Sequence, residues 1–256
     1  MAAAISASSV VLLGDPQQLP QVSQAVHPNG SGASALTHLL DGDRTITPDR
    51  GVFLDTTWRM HSDVSEFISD ITYEGRLRVD PSCDGQSTEV GGTGLRWIRA
   101  THHDCSTSSV VEAELIAAQI RRLMNTPWTD RHGNVEKLRP KDFMVVAPYN
   151  DQVGVIRQVF SSHKRLAKID VGTVDKFQGR EAAVVFFSMT TSSSDLMPRA
   201  ADFLFSRNRL NVAISRARCL AYLVCTDALL STRATSVDDM KLIASLCAFV
   251  ERAEPV

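Results

Sequence analysis

No Gly-Lys and no Asp-Glu dipeptide occurs in the 256 residues. The first absence excludes a phosphate-cradling loop of the form G-x-x-x-x-G-K-[ST], and the second excludes the adjacent acidic pair that accompanies such a loop. No apolar run approaches the roughly 18 residues that span a bilayer, so no membrane partner is expected. The cysteines (Cys83, Cys105, Cys219, Cys225 and Cys247) are odd in number and form no CxxC pair. A disulfide framework or zinc ribbon is thereby excluded, and a reducing cytosol fits. "THHDC" (Thr101 to Cys105) is too tightly spaced for an ordinary metal site; it reads as a polar surface turn, and no metal ligands are expected. "MAAAISASS" lacks a basic stretch and a long apolar stretch, so no secretory signal is expected and the location is cytoplasmic. A net charge of −2 gives no overall basic field, although Arg207, Arg209, Arg216 and Arg218 cluster locally.

The chain is 43% hydrophobic, enough for one or two globular domains. Strands are predicted over Val10–Leu13, Val52–Leu54, Leu95–Arg99, Phe143–Ala147, Asp170–Val174, Val184–Met189 and Leu220–Cys225. Several are continuous Val/Ile/Phe runs, which suit strands buried on both faces of a parallel sheet. Helical patterns lie between them. In Ser108 to Met124, Ser109 and Glu112 form a capping-box pair, and Leu115, Ala118 and Leu123 recur at helical spacing. "HSDVSEFISDITY", "NDQVGVIRQVF" and Met240–Arg252 are further helices, with a short one near Ala33–Leu40. Val22–Gly51 reads as a linker and Asp80–Gly94 as a polar insert whose "GGTG" is a loop. The alternation is that of a doubly wound α/β fold.

Three loops carry candidate chemistry, each at the end of a predicted strand, where open α/β sheets bind ligands beyond the carboxyl ends. "GDPQQLP" places Asp15, Gln17 and Gln18 at a strand tip, where glutamine can orient water or touch a phosphate oxygen. "VGTVDKFQGREAAVVFFSM" holds Thr173, Gln178 and Gly179, the last permitting close backbone approach to a ligand. "NRLNVAISRARC" is helix-like over Asn211 to Arg218 and carries Arg216 and Arg218, whose planar forks suit phosphate charge. "TWRMH" sets Arg59 between a strand and a helix.

In the order GDPQQLP, TWRMH, GTVDKFQGRE and NVAISRAR, these segments resemble motifs III to VI of superfamily 1 helicases. The branch most similar includes the nonsense-mediated-decay RNA helicase and replication nuclease–helicases; bacterial RecB-like nuclease–helicase fusions look closer still. The resemblance runs from Val10 to about Glu251 and implies a P-loop NTPase-like (RecA-like) fold with a doubly wound, mainly parallel sheet. It implies that Gln18 senses a γ-phosphate, with Asp15 in the same motif. Arg59 and the arginine finger Arg216 would stabilise the charge of phosphoryl transfer. Gly179 and Glu181 would lie near the γ-phosphate and ribose. Thr173, Pro148 and Tyr149 would hold a nucleic-acid backbone.

On this resemblance, residues 1–50 are expected to be the remnant of a first RecA-like domain (its last strand and motif III) plus a linker. Residues 51–256 would be the second RecA-like domain. The P-loop belongs before motif III, and the chain alone is therefore expected neither to hydrolyse ATP nor to unwind. A truncated gene, a split gene or an internal start each account for that. ATP and Mg²⁺ would bind only where a partner chain supplies the P-loop half. The other expected partner is single-stranded nucleic acid, with DNA favoured and movement 5′ to 3′. The alternative is a non-catalytic module binding single-stranded nucleic acid or protein.

Overall fold

The computed structural model describes residues 7–19, 28, 31–198, 201–234 and 236–256. Part of the predicted linker, residues 22–27 and 29–30, lies outside them. The main sheet has six strands in the order β11-β4-β10-β9-β7-β8, all paired in parallel. These are β4 (Gly94–Arg99), β7 (Phe143–Ala147), β8 (Asp170–Thr173), β9 (Ala182–Ser188), β10 (Ala217–Cys225) and β11 (Glu254–Pro255). Every residue of β7 and β9 is buried, as their uninterrupted apolar runs predict.

Side chains alternate along these strands and build two cores. Met144, Val146, Val185, Phe187, Ala221 and Leu223 face one, Val145, Phe143, Val184, Phe186, Tyr222 and Val224 the other. The first is covered by α2 (Ser62–Tyr73), α5 (Arg207–Ile214) and α6 (Val237–Arg252); a short α1 (Ala35–Leu40) precedes them. The second is covered by α3 (Val110–Leu123) and α4 (Asn150–Ser161). Helices on both faces of a parallel sheet make the doubly wound, RecA-like α/β fold. Among the described residues no helix is long and apolar enough to cross a membrane.

Several expectations are corrected. Val10–Leu13 forms no strand, and Val11 and Leu13 are 83% and 88% exposed. A β-rich run becomes a strand only where a neighbouring ladder takes up its backbone groups, and no described segment does so here. Val52–Leu54 is likewise irregular; pairing begins two residues later, between β1 (Thr56–Thr57) and β2 (Arg78–Val79). The helix read over Asn211 to Arg218 runs instead from Arg207 to Ile214, because Ser206 accepts the Arg209 N–H as its N-cap and the chain enters β10 at Ala217. In α3, Ser109 caps the Glu112 N–H as predicted, but the pair is no capping box, because the Ser109 N–H donates to Gln152; the buried stripe is Ala113, Ile116, Ala117, Ile120 and Leu123, with Ala118 outside. The polar insert adds β3 (Ser87–Thr88) to an antiparallel sheet with β5 (Pro127–Thr129) and β6 (Val135–Lys137), strands too short for periodicity to mark.

"THHDC" is not a surface turn throughout. His102 is buried, joined through Nδ1 to Ser192 Oγ (2.7 Å) and through Nε2 to Glu112 Oε1 (3.0 Å). The fully buried Glu112 also accepts from Ser188 Oγ and the Thr190 N–H (2.9 Å). Gln152 extends the network, accepting from the Ser109 N–H (2.7 Å) and donating to Ser188 Oγ (3.0 Å). A buried carboxylate with all its donors in place is costly to break. Glu112→Ala is expected to lower unfolding free energy by roughly 3–5 kcal/mol, read from the midpoint of urea denaturation.

Candidate nucleotide-phosphate site

One open groove, with a volume of about 1360 Å³, gathers Asp15, Gln18, Arg59, Glu181, Arg216 and Arg218 from four separate segments. The pairing of β9 with β10 brings two of these together. Ala182 lies opposite Ala217, and its N–H donates to the Arg216 carbonyl (3.0 Å). Glu181 and Arg216 are thus the residues immediately before a matched pair. The Arg59 segment is tied to the same edge: the His61 N–H donates to the Arg218 carbonyl (2.7 Å) and Gln86 Nε2 to the Arg59 carbonyl (2.7 Å). The groove therefore sits at the amino ends of β9 and β10. This corrects the expectation of a site beyond the carboxyl ends.

The segment 14–19 is docked rather than free. Asp15 accepts from Tyr73 Oη (2.5 Å), Gln18 Nε2 (2.9 Å) and the Gln17 N–H (2.9 Å). Asn208 and Asn211 on α5 donate to the Gln18 and Gln17 carbonyls, at 2.7 and 3.0 Å. Burial, and then the adjacent Asp15 carboxylate, push the Tyr73 phenol well above its ordinary range, so it stays a donor. Gln18 lines the groove, with its Nε2 held by Asp15.

The arginines differ in character. Arg216 is 3% exposed and donates to the Val212 carbonyl (3.0 Å), the Arg180 carbonyl (3.4 Å) and Ser215 Oγ (3.0 Å). Those partners are neutral, and no described carboxylate is within salt-bridge distance of it. Burial, reinforced by Arg59 nearby, pulls its guanidinium down to about 10, still charged at neutral pH. A desolvated cation without a counter-ion is poised for an anion. Arg59 donates through Nε to Glu181 Oε2 (2.7 Å) and through Nη1 to the Ser215 carbonyl (3.0 Å). Arg218 donates to the other oxygen, Glu181 Oε1, from Nε at 3.0 Å and also from Nη2. Burial pushes the Glu181 carboxyl up, and the hydrogen bonds and charges of Arg59 and Arg218 outweigh it, holding it below its ordinary value.

The groove's carboxylates are already committed. Asp15 and Glu181 are engaged as described, and Asp130 accepts from the His132 and Asn134 N–H groups and Asn134 Nδ2. The residues present fit a polyphosphate but leave a divalent cation no uncommitted carboxylate here.

The other predicted residues do not line this groove. Gly179, at φ +81°, lies in the connection from the carboxyl end of β8 back to the amino end of β9. Thr173 ends β8, and Pro148 and Tyr149 follow β7, so these three share the opposite, carboxyl edge of the sheet. Pro148 and Tyr149 are buried, Tyr149 stacking on Phe203 with centroids 5.6 Å apart. The groove also recruits residues the motif reading did not assign to it. Trp58 is 60% exposed at the groove, its carbonyl held by Arg131 Nη1 (2.7 Å) from the β5–β6 turn. Trp58 lies beside Arg59, and Arg218, read from the sequence as suited to phosphate charge, lies two residues from Arg216; Arg131 and Tyr73 come from distant segments with no local signal.

Residues 33–228, more than half of the chain, match the family model described as "AAA domain". The chain belongs to the AAA domain family. Among curated proteins, this AAA domain is 28% identical over 230 residues to "DNA polymerase alpha-associated DNA helicase A" of Saccharomyces cerevisiae, covering 82% of the chain and 33% of that protein. It is 27% identical over 226 residues to "Helicase sen1" of Schizosaccharomyces pombe, covering 83% and 13%. It is 28% identical over 211 residues to "DNA replication ATP-dependent helicase/nuclease DNA2" of Gallus gallus, covering 81% and 20%. The AAA domain thus spans a third or less of these relatives.

An anion seated on Arg216 stabilises the folded state by mass action. Inorganic tripolyphosphate at about ten times its Kd is expected to raise Tm by about 3 °C, and the shift is expected to vanish in Arg216→Ala, both read by thermal unfolding.

Proposed function

We propose that this chain is the second RecA-like half of an ATP-dependent superfamily 1 helicase motor. In this reading it couples phosphoryl-transfer energy to movement along single-stranded nucleic acid, with DNA favoured. The observation that carries the reading is the convergence of Gln18, Arg59, Glu181 and Arg216 on one groove, with Arg216 buried and lacking a carboxylate. The names of the relatives support it.

ATP, when bound with Mg²⁺, supplies the transferable phosphoryl group. Arg216 offers charge already stripped of water, so little reorganisation is needed as negative charge develops. Arg59 adds a second guanidinium from the α2 side, and in this reading Gln18, its Nε2 held by Asp15, would orient a water. Thr173, Pro148 and Tyr149 belong to the opposite edge, where the nucleic-acid strand would run. The P-loop half comes from elsewhere than these residues, since no Gly-Lys is present.

The chain by itself is expected to show no ATP turnover, with or without single-stranded DNA. Adding a polypeptide that carries a P-loop and its acidic pair is expected to produce single-strand-stimulated hydrolysis. Arg216→Ala should lower that rate by about 10³-fold, the magnitude typical of an arginine finger. Restored turnover indifferent to Arg216, or turnover by the chain alone, contradicts the assignment.

A further inference from the structure

We propose that Glu181 is a positioning residue that stands in for phosphate: it holds Arg59 and Arg218 until a polyphosphate enters the groove and takes Arg59 from it. The inference rests on the reading of the groove as a nucleotide-phosphate site. It departs from the ribose-side role that the resemblance implies for Glu181.

The carboxylate presents one oxygen to each arginine. Oε2 accepts from Arg59 Nε at 2.7 Å, and Oε1 accepts from Arg218 Nε at 3.0 Å and from its Nη2. A terminal phosphate offers guanidinium forks the same kind of oxygen with more charge. The three side chains are partly open to solvent: Arg59 29%, Glu181 35% and Arg218 35%. An incoming anion can therefore compete without unfolding anything. Arg59 is also anchored by Nη1 to the Ser215 carbonyl (3.0 Å), so release from Glu181 leaves its guanidinium at the groove. Glu181 is not stranded by the exchange, because Arg218 keeps its own bonds to it and the Arg218 backbone is fixed by His61. Arg216 has no such competitor. The charge of Arg216 is thus unpaired by any described carboxylate, and a second guanidinium is freed only when the anion outcompetes Glu181.

The sign of the effect separates this role from that of a sugar ligand. Binding of inorganic tripolyphosphate, which has no ribose, and of ATP is measured on the full chain by titration calorimetry. Glu181→Gln is expected to bind both about fivefold tighter than the wild type, the scale of a partly exposed ion pair removed from competition. Glu181→Ala should move in the same direction. Arg59→Ala combined with Glu181→Gln should lose the gain. Thermal unfolding of each variant checks that the fold is kept. Tripolyphosphate binding by the wild type that is unchanged or weakened in Glu181→Gln overturns the proposal while leaving the groove reading intact. Weaker ATP binding with unchanged tripolyphosphate binding makes Glu181 a sugar ligand and also overturns it. No binding to the wild type or to Glu181→Gln removes the phosphate site itself, and the proposal with it.

Discussion

The groove depends on one backbone hydrogen bond, from the Ala182 N–H to the Arg216 carbonyl (3.0 Å), at the start of the β9–β10 pairing. Parallel register there puts Glu181 and Arg216, far apart in sequence, on adjacent strand entrances. The register shifts between Ala217 and Leu220, so the first residues of β10 follow a different course from the regular ladder beyond them. Arg216 turns into the protein and Arg218 outward to Glu181. The segment carrying Arg59 is then pinned to the same edge by His61 and Gln86.

Electrostatics follow from that placement. The acids at the groove are each satisfied by fixed donors, and the deepest cation is satisfied only by carbonyl and hydroxyl oxygens. A guanidinium in that state keeps its charge at neutral pH while losing its water, which raises its value to an anion more than any surface arginine can offer. The opposite edge is organised by a different means. There Glu112, His102, Ser188, Ser192 and Gln152 form a connected buried network that ties α3 and α4 to the ends of β9 and β4. Charge left open at one edge and closed at the other lets one sheet carry a rigid frame and an open basic rim.

Much of this is legible in the amino-acid sequence. The buried runs of β7 and β9 mark central parallel strands, and Ser109 announces the start of α3. The motif order pointed to Gln18, Arg59, Glu181 and Arg216, and all four meet at one groove. What failed did so for want of a partner or a competing signal. Val10–Leu13 has strand composition but no ladder to join among the described residues. His102 sits in a polar run, and nothing local to it tells of Glu112 and Ser192. The site lies at the amino edge because the relevant residues precede their strands, a fact of register that a pattern of residue types does not contain. Trp58 and Arg131 meet through a tertiary contact between a loop and a distant hairpin.

The most direct test of the account is a crystal structure of the chain soaked with tripolyphosphate. The account predicts ordered anion density in the groove, with phosphate oxygens within hydrogen-bond distance of the Arg216 and Arg59 guanidinium groups. An anion ordered elsewhere, with Arg216 still bonded only to Val212, Arg180 and Ser215, would contradict it.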